Sequence, residues 1–164
     1  MKTYDAIIRG FYAPLAAYLG RDLVQADTVA ARPALPFASY KVLVPRIVQN
    51  GPESGHAEFD IGESSVTERK LTDIEATFSF NFYGRNDLEA MELAAKAEEY
   101  LDFVGEFALR DNGLTVVEVT NPQDRTLYLG DAYEYRVGFD VRFRVQEVKE
   151  RISPLIDTAE IEQI

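Results

Sequence analysis

The fold of this chain is decided by residues 133–145, YEYRVGFDVRFRV, in which apolar and polar side chains alternate one for one. A period of two residues is typical of a half-buried antiparallel strand. These residues, at about 3.3 Å each, would span roughly 43 Å, more than twice the length of an average strand. A monomer of this size has little for the far end of such a strand to pack on. The pattern therefore favours an assembly component over a self-contained enzyme.

Composition predicts one globular domain, residues 1–164, because the chain is 164 residues long and 46% hydrophobic. Its 17 basic and 28 acidic residues give a net charge of −11, which repels polyphosphate and argues against a nucleic-acid-binding protein. The absence of cysteine excludes disulfides, thiol nucleophiles and zinc–thiolate sites. With no long apolar run and no signal-like start, we expect a soluble, unprocessed product without a membrane partner.

The first half of the chain predicts one helix and two strands. Helical spacing of apolar residues over 3–19 indicates a first helix, with a kink or a break into two short helices at Pro14. Alternation over 40–48 predicts a strand with an edge-like end at Pro45. A second strand follows over 74–83 and ends at Gly84.

Residues 49–65 lie between these strands and are rich in glycine and polar residues. Ala57, Phe59 and Ile61 indicate a short strand within the segment, so the region predicts a long β-hairpin with a loose tip. Because it offers little apolar surface to offset the entropy of ordering, we expect it to be mobile in the isolated subunit and to become ordered against a neighbour.

The second half predicts a long helix and further strands. Asn86 and Glu89 resemble a capping box at the start of a helix over 86–110. Strands over 114–119 and 133–145 follow, and Ala159 and Ile161 suggest a last strand or an extended tail. The helix is expected to face the sheet with the apolar residues Leu88, Met91, Ala95, Leu101, Val104 and Phe107. The element order predicts an α+β fold, a mainly antiparallel sheet packed against two helices.

Residues that could carry chemistry give no coherent pattern. The single histidine, His56, lies in the polar segment, where nothing would fix it as the base of a catalytic triad. Asp60, Glu63 and Glu68 do not match an EF-hand loop. Phosphate-binding glycine motifs and the H-E-x-x-H motif are absent. We therefore predict a protein that is not an enzyme and has no catalytic, cofactor or metal site.

The polar face of the long strand is the candidate functional surface. A mixed row of charges can be an ordinary solvated face or can pair with a neighbouring subunit, and the sequence leaves both interpretations open. The candidate subunit-interface residues are Glu134, Arg136, Asp140, Arg142 and Arg144.

Four segments in a fixed order carry a family resemblance. They are RPALPFASYKVL at 32–43, ERKLTDIEATFSFNFYG at 68–84, YEYRVGFDVRFRVQE at 133–147 and LIDTAEIE at 155–162. Together they resemble the phage neck terminator, or tail-completion, family over nearly the whole chain. Residues 49–65 match this pattern least.

The resemblance implies a structural virion protein of a tailed phage or prophage. Such a protein would form a homo-oligomeric ring of six copies at the head–tail junction, after synthesis and assembly in the bacterial cytoplasm. Its partners would be tail-tube and head-connector proteins, and DNA would pass through the ring without specific binding, as the negative charge favours. The alternatives are another virion subunit, of the tail-tube or head-connector class, and a small-ligand binding domain or hydrolase. The last would require an ordered His56 beside a buried carboxylate and a serine.

Overall fold

Residues 133–145 lie in a central strand of an eight-stranded sheet with helices packed on one side. The structure, a computed structural model, describes residues 3–49 and 55–155. The helices are α1 Thr3–Leu19, α2 Asp87–Glu99 and α3 Glu106–Asp111, and a π-helical turn, Tyr100–Val104, joins the last two. The strands are β1 Leu23–Gln25, β2 Phe37–Val48, β3 His56–Ile61, β4 Ser65–Gly84, β5 Thr115–Val119, β6 Gln123–Asp124, β7 Leu127–Tyr128 and β8 Tyr133–Pro154.

The sheet is mixed and mainly antiparallel. Its strands follow the order β1-β2-β4-β8-β5, with β3 also pairing with β4, and β6 and β7 with β8. The pairing of β1 with β2 is parallel, and the other pairings among the described strands are antiparallel. This confirms the predicted α+β class. The helices number three instead of two because the π-helical turn divides the second one.

Both central strands are longer than the alternating pattern predicted. The strands β8, with 22 residues, and β4, with 20, pair without a register shift from Ser65 opposite Pro154 to Gly84 opposite Tyr135. At about 3.3 Å per residue, β8 spans roughly 70 Å. The predicted strands over 74–83 and 133–145 are therefore confirmed, and each continues past the edge of the core.

The core lies between the sheet and the helices and is largely aromatic. Phe78, Phe80, Phe139 and Phe143 are fully buried on the inner face of β4 and β8. The ring of Phe11, from α1, stacks on Phe143 at 5.4 Å between centroids and meets Phe78 and Phe80 edge-on at 5.4 and 5.3 Å. Aromatic pairs of this kind contribute about 0.5–1.5 kcal/mol each beyond their buried area. The inward face predicted for the two strands is correct.

The first helix continues through Pro14, so of the two predicted alternatives the break into two short helices is wrong, and the kink stays a prediction. Pro14 has no N–H to donate to the carbonyl of Gly10, four residues earlier. The side-chain amide of Asn112 donates to that carbonyl instead, at 2.8 Å. A Cβ atom on Gly10 would lie 2.5 Å from the side chain of Leu114. Pro14 therefore leaves the Gly10 carbonyl free to accept from Asn112, and Gly10 leaves room for Leu114. Both contacts hold the chain after α3 close to α1.

The second helix presents a different face to the sheet from the one predicted. Among the six apolar residues expected to pack inward, only Leu101 is buried, while Leu88, Met91, Ala95, Val104 and Phe107 are exposed. Three alanines lie on the buried side, which consists of Ala90, Leu93, Ala94, Ala97, Tyr100 and Leu101. Because the sheet already supplies large aromatic rings, alanine on the helix allows close packing without overfilling the core.

The π-helical turn keeps the buried residues before and after it on the same side of the helix. Buried positions 93, 97, 101, 105 and 109 are four residues apart, and each step of four drifts by about 40° in an α-helix. The extra residue of the turn, where the N–H of Gly105 donates to the carbonyl of Tyr100 at 2.7 Å, offsets this drift. A Cβ on Gly105 would lie 2.4 Å from the Tyr100 ring, so glycine is required for this contact.

Two predictions concerned the ends of elements. The start of the second helix is confirmed, because the side chain of Asn86 accepts a hydrogen bond from the N–H of Glu89 at 2.9 Å. The Glu89 carboxylate in turn accepts from the backbone N–H of Arg85 at 2.6 Å. The predicted last strand or tail through Ala159 and Ile161 lies outside the described residues.

Candidate assembly interfaces

The polar side of the β4–β8 pair, opposite the core, is organised around a buried carboxylate. Glu75 lies opposite Arg144, and only 1% of its side chain is exposed. Arg144 donates to Oε1 of Glu75 at 2.7 and 3.1 Å, and Gln49 donates to Oε2 at 3.1 Å. Arg142 lies 3.4 Å from the same Oε2. Burial alone would raise the pKa of Glu75, but these hydrogen bonds and positive charges outweigh it and hold the pKa below its usual value.

A second cluster on this face is built by Arg125, which comes from the chain between β6 and β7. Its guanidinium donates to Ser79 at 2.8 Å, to Asn81 at 3.1 Å and to Asp140 at 3.2 Å. A Cβ on Gly138 would lie 2.7 Å from Nη1 of Arg125, so the glycine leaves room for the arginine. Sequence reasoning missed Arg125, and the glycine in the middle of an alternating strand was its only signal.

A third cluster involves the segment Arg-Pro-Ala-Leu-Pro-Phe at residues 32–37. The guanidinium of Arg32 lies over the rings of Phe37 and Tyr83, 5.2 and 4.9 Å from their centroids, and pairs with Glu134 at 2.6 Å. The two rings stack on each other at 4.5 Å. This arrangement anchors the loop before β2 to the start of β8, so the motif has a structural role in the fold.

All five candidate subunit-interface residues thus have ion-pair partners in their own chain. Ion pairs within the folded chain therefore account for the alternating charges of this row without a neighbouring subunit. Their side chains are between 15% and 45% exposed, so a subunit contact at this row stays a prediction. The pairs are Glu134 with Arg32 and Arg136, Asp140 with Arg125, Arg142 with Glu75 and Glu118, and Arg144 with Glu75.

A three-stranded extension projects past this polar face, and sequence reasoning placed only part of it. It consists of β3 with residues 65–72 of β4 and 147–154 of β8, and we call it the arm. All six residues of β3 are exposed. The strand predicted around residues 57–61 is confirmed, whereas residues 50–54 lie outside the described residues. The expected mobility of residues 49–65 stays a prediction.

The two faces of the arm differ in charge. In an antiparallel sheet, residues directly opposite each other lie on the same face. The face continuous with the core side carries Lys70, Lys149 and Arg151 against two acids, Glu68 and Glu147, so its net charge is +1. It also carries the exposed Phe59 and Ile61. The opposite face has a net charge of −2, from Glu58, Asp60 and Glu150 against Arg69.

The outer side of α2, the π-helical turn and α3 is both apolar and acidic, and we call it the helix face. Phe103 and Phe107 are 75% and 73% exposed, and Leu88, Met91 and Val104 are also exposed. Residues 87–111 contain eight acidic and two basic side chains, a net charge of −6 out of −11 for the chain. Large exposed apolar residues on one surface are typical of interaction sites, so the helix face is a candidate interface.

A smaller apolar group lies at the opposite end of β8 from the arm. Leu127, Tyr128, Leu129 and Tyr133 are all exposed where β7 pairs with the start of β8. The rings of Tyr128 and Tyr133 are 5.0 Å apart. Exposed apolar residues therefore lie at both ends of the longest strand.

His56 lines an open surface cavity with Glu58 and Asp73, but both carboxylates are exposed and no serine is among the described residues that line it. His56 is an exposed first residue of β3, opposite Leu71. Within residues 3–49 and 55–155 there is no group of histidine or acidic side chains arranged to hold a metal ion. In the same part of the chain, no helix is long and apolar enough to cross a membrane.

A sequence profile of the phage neck terminator protein family matches residues 6–164. The chain belongs to this family. It is accordingly a structural protein of the phage neck, located at the head–tail junction of the virion, where it contacts other tail or head proteins. The match confirms the resemblance drawn from the four segments and includes residues 49–65, which matched the family pattern least. No curated protein matches the chain.

Proposed function

We propose that this neck terminator forms a ring of six copies that closes the head-proximal end of the phage tail and joins it to the head. Its work is done by interfaces, without a catalytic site. Ring formation requires heterologous contacts, in which one surface of a subunit meets a different surface of the next. Two unlike exposed surfaces, the arm and the helix face, provide such a pair.

The observation that carries the proposal is the arm. A sheet extension with both faces exposed, and with Phe59 and Ile152 on opposite faces at 63% and 68% exposure, is costly for a monomer in water. A neighbouring subunit that covers one face and a tail or head protein that covers the other would remove this cost. The arm and the apolar group at the start of β8 lie at opposite ends of this strand, so each can meet a different partner.

The charge of the chain supports a conduit for DNA. A ring of subunits that each carry −11 presents walls that repel the duplex, whereas a basic lumen would retain it by counterion release. DNA would therefore pass through without specific binding. Electrostatic repulsion of this kind weakens with salt, so it acts most strongly at low ionic strength.

The test is complementation of a phage or prophage from which this gene has been deleted. We expect particles made without the protein to accumulate as filled heads and separate tails, and the full-length chain supplied in trans to restore joined virions. Deletion of residues 56–72 together with 147–154 should abolish this rescue, whereas His56→Ala should rescue fully. Normal joining without the protein would contradict the proposal, and failure of His56→Ala with normal assembly would indicate chemistry.

A further inference from the structure

We infer that, in the ring, the basic face of each arm docks on the helix face of the next subunit. The inference rests on the proposed ring and names the two surfaces that close it. The occupant of each surface is a second copy of this chain.

The first argument is charge. The helix face belongs to a segment with a net charge of −6, and the arm face continuous with the core side has a net charge of +1. The other face of the same arm, at −2, would be repelled by the helices. Complementary charges of this kind select the partner and its register. They also decide which of the two arm faces is used.

The second argument is that each surface carries exposed apolar residues beside charged ones. Phe59 and Ile61, 63% and 72% exposed, lie on the basic arm face, and Phe103 and Phe107 lie on the helix face. Lys149 and Arg151, at 63% and 74% exposure, lie on the same face of the arm but on β8, with β4 between them and β3. Exposed apolar residues together with charged ones are typical of a protein interface.

The third argument is geometric. The arm and the helix face are different surfaces of one subunit, so their contact is head-to-tail and closes into a ring if the rotation between subunits permits. Three strands about 4.8 Å apart and six residues long cover roughly 14 by 20 Å, or about 300 Å². This is less than the roughly 800 Å² per partner of a standard stable interface. The docking should therefore be weak for a single pair and stable in a closed ring or on a tail.

The experiment uses the absence of cysteine from the chain. A variant carrying Lys149→Cys and Asp102→Cys places one thiol on the basic arm face and one on the helix face. The matched control carries Glu150→Cys and Asp102→Cys, with the arm thiol moved to the opposite face by a single residue. Both full-length variants are assembled into virions, treated with a short bis-maleimide cross-linker and analysed on denaturing gels.

We expect the Lys149→Cys/Asp102→Cys chain to form a ladder of covalent oligomers ending at the size of the ring. The control should remain mainly monomeric. Phe59→Ser in the first variant should reduce the ladder several-fold, whereas Ile152→Ser, on the opposite face, should leave it unchanged.

Two results would overturn the inference: no ladder from the first pair in particles that contain several copies, or a stronger ladder from the control. Both would leave the proposed ring intact, since copy number is measured on the same particles. A single copy per virion would instead overturn the ring itself.

Discussion

The buried carboxylate Glu75 gives the sharpest prediction about stability. Arg144→Met keeps most of the side-chain length but removes both hydrogen bonds to Oε1 of Glu75. Breaking a fully buried pair costs about 3–5 kcal/mol, and a hydrogen bond to a charged group contributes about 1.5–3 kcal/mol. Arg144 is 45% exposed, and Arg142 and Gln49 remain beside Glu75. We therefore expect the variant to lose about 2 kcal/mol of unfolding free energy, less than the loss of a fully buried pair.

The matched control is Arg151→Met, on the same strand. Arg151 pairs with Glu68 at 2.5 Å, but its side chain is 74% exposed, so solvent screens the pair. The change should cost less than about 1 kcal/mol. Urea unfolding of the full chain, followed by circular dichroism, measures both values. For a domain of this size the Arg144 variant should melt about 4–8 °C lower, since 1 kcal/mol shifts the melting temperature by about 2–4 °C.

A double-mutant cycle with Glu75→Gln isolates the pair. The cost of the double variant should fall short of the sum of the single costs by at least about 1 kcal/mol, because the two residues interact directly. Additive costs, or equal losses for Arg144→Met and Arg151→Met, would refute the view that Glu75 organises the polar face.

The same carboxylate sets a dependence on pH. The pKa of Glu75 is lowered in the folded protein from its usual value of 4.5, so the folded state favours the ionised form. Its contribution to the free energy of unfolding is therefore fully present above about pH 4.5 and is lost as the pH falls through the lower folded-state pKa. Glu75→Gln should flatten this part of the curve of stability against pH, and an unchanged curve would contradict the assignment.

Further predictions concern the core, the helix start and the arm. Phe80→Ala should cost about 3–5 kcal/mol in urea unfolding, because the ring is fully buried, and a cost below about 1 kcal/mol would mean that the strand faces are inverted. Asn86→Ala should cost about 1 kcal/mol through loss of the helix N-cap, and no loss would contradict that role. Glu89 should titrate with a pKa of about 2 in an NMR experiment, because the side chain and backbone N–H of Arg85 hydrogen-bond to it; Arg85→Gln should raise that pKa. Hydrogen exchange of residues 56–61 should slow on assembly into virions, and equal protection before and after would remove the arm from the interfaces.

The long strands could be predicted because a sheet that buries one face requires apolar and polar residues to alternate along each strand. One face of β8 packs on the core, so every second residue of 133–145 had to be apolar, and the pattern identified the strand and its face. Beyond Val145 both faces are exposed, alternation loses its cause, and the strand could not be followed to Pro154. The arm was therefore underestimated for the same physical reason that makes it a candidate interface.

The helix face could not be predicted from apolar residues alone. The rule that large apolar residues face the core fails here, because the core side is filled by phenylalanine from the sheet and needs alanine on the helix. The residues assigned to the core, among them Met91 and Phe107, are exposed. Likewise, the charges of Arg142 and Arg144 left a solvated face and a subunit contact equally open, and the sequence could not show that both pair with Glu75, from a strand about 70 positions away in the sequence.

Electron cryomicroscopy of the neck in intact particles would show whether this protein forms a ring at the end of the tail. We expect one ring of six copies at the head-proximal end of the tail, with the arm of each subunit lying across residues 87–111 of the next. A single copy, or copies stacked along the tail tube, would contradict it.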